Sequence, residues 1–176
     1  SERSPADRRQ APQRLSGLQA WLALPKAQEE IEPAFAHYGA DAMPRLADNG
    51  IELALIAGHG WGLASPVAVH SDTVYAEARL APGATLPIGA EHEERAIYLL
   101  AGTVGIAGTS FEPGRLLVLR PGDAIAVRAG DNGARFMVLG GETMDGPRHL
   151  WWNLVSSSKE RIEQAKADWK QGRFAR

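Results

Sequence analysis

The sequence predicts a mainly-β protein: a small antiparallel barrel with an N-terminal extension and a C-terminal α-helix. Two observations predict the barrel. Four turn signals, Ala81-Pro82-Gly83, Ala101-Gly102, Glu112-Pro113-Gly114 and Arg120-Pro121-Gly122-Asp123, cut the middle of the chain into short pieces. Between them apolar residues recur in short runs, many alternating, at the spacing of a sandwich or barrel. A third observation predicts the helix. The 3.6-residue period is absent until the end, where Ile162, Ala165 and Trp169 fall on one face.

Each element follows from its own pattern. Ser1–Arg14 is polar and carries Pro5 and Pro12, so it reads as an extended arm. In residues 15–24, Leu18, Ala20, Leu22 and Leu24 alternate with Gln19, Trp21 and Ala23, and Pro25 closes the run. This predicts an orphan strand, which needs a ladder partner. Lys26–Gly50 is a connector broken by Pro33, Pro44 and Asp48-Asn49-Gly50, with a short helical turn near Gln28–Ile31. Ile51–Ala57 is a strand, Gly58–Gly62 a loop, and Val67–His70 a short strand. Thr73–Leu80 places Val74, Ala76, Ala78 and Leu80 on one face. Further strands are expected at 95–100, 103–106, 115–119, 124–128 and 135–139. Ser157 and Glu160 read as the capping box of a helix over 158–170, with Gly172 as its stop.

Composition narrows the function classes. The 176 residues suffice for one domain with a full core, or one domain plus an appendage. A formal net charge of −2 gives no global reason to bind nucleic acid or membrane. There is no cysteine, which excludes disulfides, thiolate catalysis and Cys-ligated zinc, and fits a cytoplasmic location. No apolar run is long enough to span a bilayer.

A series of motifs then carries a family resemblance. His92-Glu93-Glu94-Arg95-Ala96-Ile97-Tyr98-Leu99-Leu100-Ala101-Gly102, Phe111-Glu112-Pro113-Gly114, Arg120-Pro121-Gly122-Asp123, Gly140–Pro147 and the terminal Gly172-Arg173-Phe174 resemble the C-terminal cupin of the pirin family. Gly17–Pro25 resembles the last strand of the pirin N-terminal cupin, and Ile31-Glu32-Pro33 the segment after it. The resemblance implies a cupin-type double-stranded β-helix. It also implies an iron protein of two cupins, whose single metal site lies in the first, held by three His and one Glu. Ser1-Glu2 matches the end of the family's His-x-Glu motif, which makes Glu2 the one family ligand within the chain. Some intact members resemble quercetin 2,3-dioxygenases, and others act as redox-sensitive cofactors of transcription regulators.

In the second cupin the resemblance puts Ile88 and Ala90 at the H-x-H positions, Glu94 at a common carboxylate position, and Gly133 near the later His. One site therefore remains to consider there, a two-ligand pair of His92 and Glu94. The other histidines have plainer readings. His59 is a surface side chain in the glycine-rich turn Gly58–Gly62. Ser71 and Asp72 cap a turn beside His70, since neighbours on a strand point to opposite sides and do not form a relay. His149-Leu150-Trp151-Trp152-Asn153 is expected to pack the terminal helix onto the barrel.

The expected organisation is a remnant of a first cupin plus linker over 1–49, a cupin barrel over 50–146, and an aromatic segment with helix over 147–176. The main functional expectation is a metal-free cupin, without cofactor and not an enzyme by itself, serving as a structural or protein-interaction module. Two alternatives stay open. One is an iron-dependent dioxygenase or redox-sensing regulator whose site is completed by a first cupin or a partner subunit. The other is a barrel holding a small molecule in its interior. A homodimer through the 15–24 strand and pirin-like protein partners are further expectations.

Overall fold

A computed structural model describes residues 16–173. They divide into two compact units, one spanning Glu30–Met144 and one in which the segment ending at Glu29 joins residues from Asp145 onward.

The Glu30–Met144 unit is the barrel. Its strands are β1 (Arg45–Asp48), β2 (Ile51–Gly60), β3 (Leu63–Ala64), β4 (Thr73–Leu80), β5 (Thr85–Ile88), β6 (Glu94–Ile106), β7 (Thr109–Phe111), β8 (Leu116–Leu119) and β9 (Ile125–Gly141). The main sheet runs β1-β2-β4-β9-β6-β7, with β3 on β2, β5 on β9 and β8 on β6. All these pairs are antiparallel. Asn49-Gly50, Trp61-Gly62 and Ala107-Gly108 all have positive φ, the backbone of two-residue hairpin loops.

The alternation in β4 is realised: Val74, Ala76, Ala78 and Leu80 are buried. With Leu55, Leu86, Ile97, Leu99, Val104, Val127, Phe136 and Val138, all at most 1 % exposed, they fill the barrel interior. Side chains packed together in this way argue against the reading of a barrel that holds a small molecule in its interior.

Several boundaries differ from the sequence expectation. The segments expected at 95–100 and 103–106 are one strand, β6. Gly102 (φ 72°) is not a turn but a kink within it, where a Cβ would collide with the Gly133 carbonyl. The segments at 124–128 and 135–139 are likewise one strand, β9, bent at Gly133. Val67–His70 forms bends, not a strand, and β2 runs through Gly58 to Gly60, where a loop was expected.

In the second unit, the orphan strand is not formed among the described residues. Residues 16–24 enter no ladder, and Leu15 lies outside the described residues. The alternation there supplies two faces, but a strand also needs a hydrogen-bonding neighbour, and none pairs with it in the single chain. A single 3-10 turn follows at Lys26–Gln28. The hairpin β10 (His149–Trp151) and β11 (Leu154–Ser156) precedes α1 (Lys159–Lys170). The N-cap is Ser158, one residue later than expected: its Oγ accepts from Arg161 N at 3.1 Å. Gly172 (φ 65°) ends α1 in a Schellman motif, with Gly172 N donating to Trp169 O and Arg173 N to Asp168 O. Ile162 and Ala165 are buried, and Trp152 packs edge-on against Trp169 at 4.7 Å. Arg148 ties this unit together. It is ion-paired with Glu29 and Asp145, each at 2.6 Å, and donates to the Leu24 carbonyl at 2.7 Å.

Candidate metal centre

Three chain segments meet at one end of the barrel: the end of β2 with His59, the residue before β4, Asp72, and the approach to β6, with His92. Glycine sets the meeting. Gly58 has φ 78°, and a Cβ on it would collide with the Thr73 carbonyl oxygen. At the end of β9, Gly141 pairs with Thr73 on one side and Glu94 on the other. A Cβ on Gly141 would strike the Asp72 carbonyl, and one on Gly140 the Glu94 carbonyl. Glu142 pins Asp72 from both directions. Its N–H donates to the Asp72 carbonyl, and its carboxylate accepts from Asp72 N, both at 3.3 Å.

The three side chains converge on one point. His59 Nε2 lies 2.8 Å from Asp72 Oδ1, and His92 Nδ1 lies 2.8 Å from Asp72 Oδ2. One ligand atom from each residue falls within 4.8 Å of the others. The two rings are tilted by 41°, with centroids 4.7 Å apart. His92 is buried, Asp72 half-buried and His59 exposed.

The hydrogen-bond inventory fits a cation. His92 Nε2 lies 2.9 Å from the His59 carbonyl oxygen, which only accepts. Nδ1 faces the Asp72 carboxylate, which also only accepts when ionised. A neutral imidazole has one N–H and satisfies one of these contacts. A second ring proton, or a cation between Nδ1 and Oδ2, satisfies both. Asp72 Oδ1 makes the same demand: it is buried, and His59 Nε2 beside it is off the hydrogen-bond angle, so it has no aligned donor. Burial works to raise the Asp72 pKa. The hydrogen bond and charge interaction with His92, together with the close approach of His59, outweigh it and hold the carboxyl below its ordinary 3.8. Two imidazoles and one ionised carboxylate form the nitrogen-and-oxygen set that divalent iron takes while keeping open positions.

This cluster corrects the main expectation. A metal-free module, without cofactor and not an enzyme, does not agree with three converged ligands in the chain itself. The ligands were missed because they do not occupy the positions the resemblance pointed to. Ile88 is 3 % exposed within the core, and Gly133 bends β9. Of the predicted pair, His92 joins the cluster. Glu94 does not: it is exposed and accepts from the Thr143 hydroxyl at 3.5 Å. Glu2 lies outside the described residues. His59 is indeed exposed, but on a strand end rather than in a turn, and Asp72 faces both histidines. The signal available in the sequence was the glycine pattern, Gly58 before His59 and Gly140-Gly141 at a later strand end.

Comparison with known proteins decides the family. Residues 75–175 match the model of the pirin C-terminal cupin domain. The chain belongs to the pirin family. The pirin-like protein of Caulobacter vibrioides is 44 % identical, over 92 % of this chain and 56 % of its own length. A protein of Pseudomonas aeruginosa named putative quercetin 2,3-dioxygenase is 33 % identical, over 90 % of this chain and 50 % of its own length. A quercetin 2,3-dioxygenase structure from Acinetobacter baumannii superposes with a TM-score of 0.82 at 20 % identity, covering 88 % of this chain and 55 % of that one. At that identity the likeness shows the pirin fold alone. The chain spans about half the length of the curated relatives it matches. No helix among the described residues is long and apolar enough to cross a membrane.

Proposed function

We propose that this pirin-family cupin binds one divalent iron ion through His59, Asp72 and His92, and supports dioxygenase chemistry of the quercetinase type. The observation that carries the reading is the convergence of three ligand atoms within 4.8 Å. It is supported by the ligand set, which is the two-histidine, one-carboxylate set of non-haem iron oxygenases. Bound there, the ion supplies Lewis acidity and open coordination positions.

The protein's own residues do the rest. Asp72 offers both oxygens, one toward each histidine. Buried His92 fixes the inner side of the site and is oriented by the His59 carbonyl. Exposed His59 opens the site to solvent. Because His59 is the exposed member of the cluster, an organic substrate approaches from the His59 side. Elemental analysis after reconstitution with ferrous iron tests the reading. About one iron per chain, lost in Asp72→Asn, supports it; iron-free protein, or unchanged iron in that variant, refutes it.

Association with a second copy, in a cytoplasmic setting, belongs to the same proposal. Leu18, Trp21 and Leu22 are exposed and offer an apolar surface to a partner chain. Sedimentation of the wild type against Trp21→Ser/Leu22→Ser tests it: a dimer that dissociates supports the proposal, and a wild-type monomer removes it.

A further inference from the structure

The end of β2 reaches past its neighbours in the sheet. Its ladder with β1 ends at Ala54, opposite Arg45, and its ladder with β4 at Gly58, opposite Val74. Among the described residues, His59 and Gly60 pair only with Ala64 and Leu63 of β3. The hairpin that carries His59 is therefore a projecting tip, and ladder bonds to the rest of the barrel do not fix its place.

Trp61 does. It stands at the first position of the Trp61-Gly62 turn with φ 51°, where Asn, Asp or Gly is usual. Its ring is half-buried against the core, and its indole Nε1 donates to the Pro87 carbonyl at 2.8 Å. Pro87 belongs to β5 and pairs with Ala126 of β9, so the tip is tied across to another strand. Ser65 holds the base of the same hairpin. Its N–H donates to the Gly58 carbonyl at 2.9 Å and its hydroxyl to the Ile56 carbonyl at 2.7 Å.

His59 gives the centre two groups. Its Nε2 faces Asp72 Oδ1 at 2.8 Å, and its carbonyl oxygen faces His92 Nε2 at 2.9 Å. Asp72 lies on a separate segment, held by Glu142. A displaced tip thus moves one imidazole and releases the bond that orients the other, while the carboxylate stays. We propose, on the reading of His59, Asp72 and His92 as metal ligands, that Trp61 is the positioning residue of both imidazoles. The Trp61–Pro87 bond sets the place of His59 directly and the ring of His92 through the His59 carbonyl.

The test uses chelator-treated protein and cobalt(II), whose visible absorption reports its ligands. The wild type is expected to take up about one cobalt per chain. Trp61→Phe keeps an aromatic ring and loses the donor. It is expected to bind cobalt about tenfold more weakly and to shift the absorption bands. Ser65→Ala, which loosens the base of the hairpin and leaves the indole bond, is expected to lower the urea midpoint of the metal-free protein and to keep the wild-type bands. Wild-type affinity and bands in Trp61→Phe, or the same change in both variants, overturn the proposal alone. A wild type that takes up no cobalt overturns the ligand reading and this proposal with it. Coupling is reciprocal, so zinc binding to the wild type is expected to slow hydrogen exchange of the Trp61 indole N–H, measured by NMR. Unchanged exchange in zinc-loaded protein overturns the proposal even where Trp61→Phe does not fold.

Discussion

His92 is held between two acceptors, with its Nδ1 2.8 Å from Asp72 Oδ2 and its Nε2 2.9 Å from the His59 carbonyl. Its neighbour in the site, His59, is exposed. The two histidines therefore differ in what their removal does. His92→Ala is expected to lose bound iron and about 2–3 kcal/mol of stability, because it empties a buried position and leaves Asp72 without its main donor. His59→Ala is expected to lose iron with stability changed by less than about 0.5 kcal/mol. Iron content and urea unfolding of both variants, side by side, check this; equal destabilisation would contradict the assigned burial.

Gly58 and Gly62 have nearly the same backbone, φ 78° and 75°, but different surroundings. A Cβ at Gly58 meets the Thr73 carbonyl, and one at Gly62 meets nothing within 4 Å. Gly62→Ala is expected to cost about 1 kcal/mol, the left-handed backbone penalty alone. Gly58→Ala is expected to cost at least about 2 kcal/mol and to reduce iron binding, since β2 must move away from Asp72. Chemical denaturation together with iron stoichiometry separates the two positions.

Acid is expected to loosen the unit built around Arg148. Burial works to raise the Glu29 pKa, but hydrogen bonds from Ser157 and Ser156 and the charge of Arg148 outweigh it and hold it below the ordinary 4.5. A carboxyl depressed in the folded state contributes stability that is complete above 4.5 and is lost as pH falls through its lower folded value. Glu29→Gln is expected to cost about 3 kcal/mol at neutral pH. Its gap from wild type should close only once pH drops below 4.5. Tryptophan fluorescence during urea unfolding at a series of pH values measures the gap; a pH-independent difference would contradict the ion-pair assignment.

The cap of α1 gives a local check. Ser158→Ala removes the acceptor of Arg161 N and is expected to cost about 1 kcal/mol. Ser157→Ala is expected to act differently, because the Ser157 hydroxyl donates to Glu29 at 2.8 Å rather than capping the helix. Its effect should fade in the Glu29→Gln background, which a double-mutant cycle measures.

The fold was legible wherever the pattern was local. The inward face of β4, the turns at Pro82-Gly83 and Pro113-Gly114, and the stop at Gly172 each follow from residues a few positions apart. Long strands were less legible, because a glycine in a turn and a glycine in a kink look alike. Gly102 and Gly133 show the difference only in the tertiary structure, where Gly102 lies against the Gly133 carbonyl and Gly133 against the Leu80 carbonyl.

The turn-punctuated barrel, its terminal helix and the pirin resemblance were therefore determined by the sequence itself, since backbone preference and side-chain alternation act over a few residues. The metal centre was decided by tertiary structure. His59, Asp72 and His92 belong to three separate segments. They meet only because Gly58, Gly140 and Gly141 let the backbones around them approach closely. No local preference encodes that distance; strand register does.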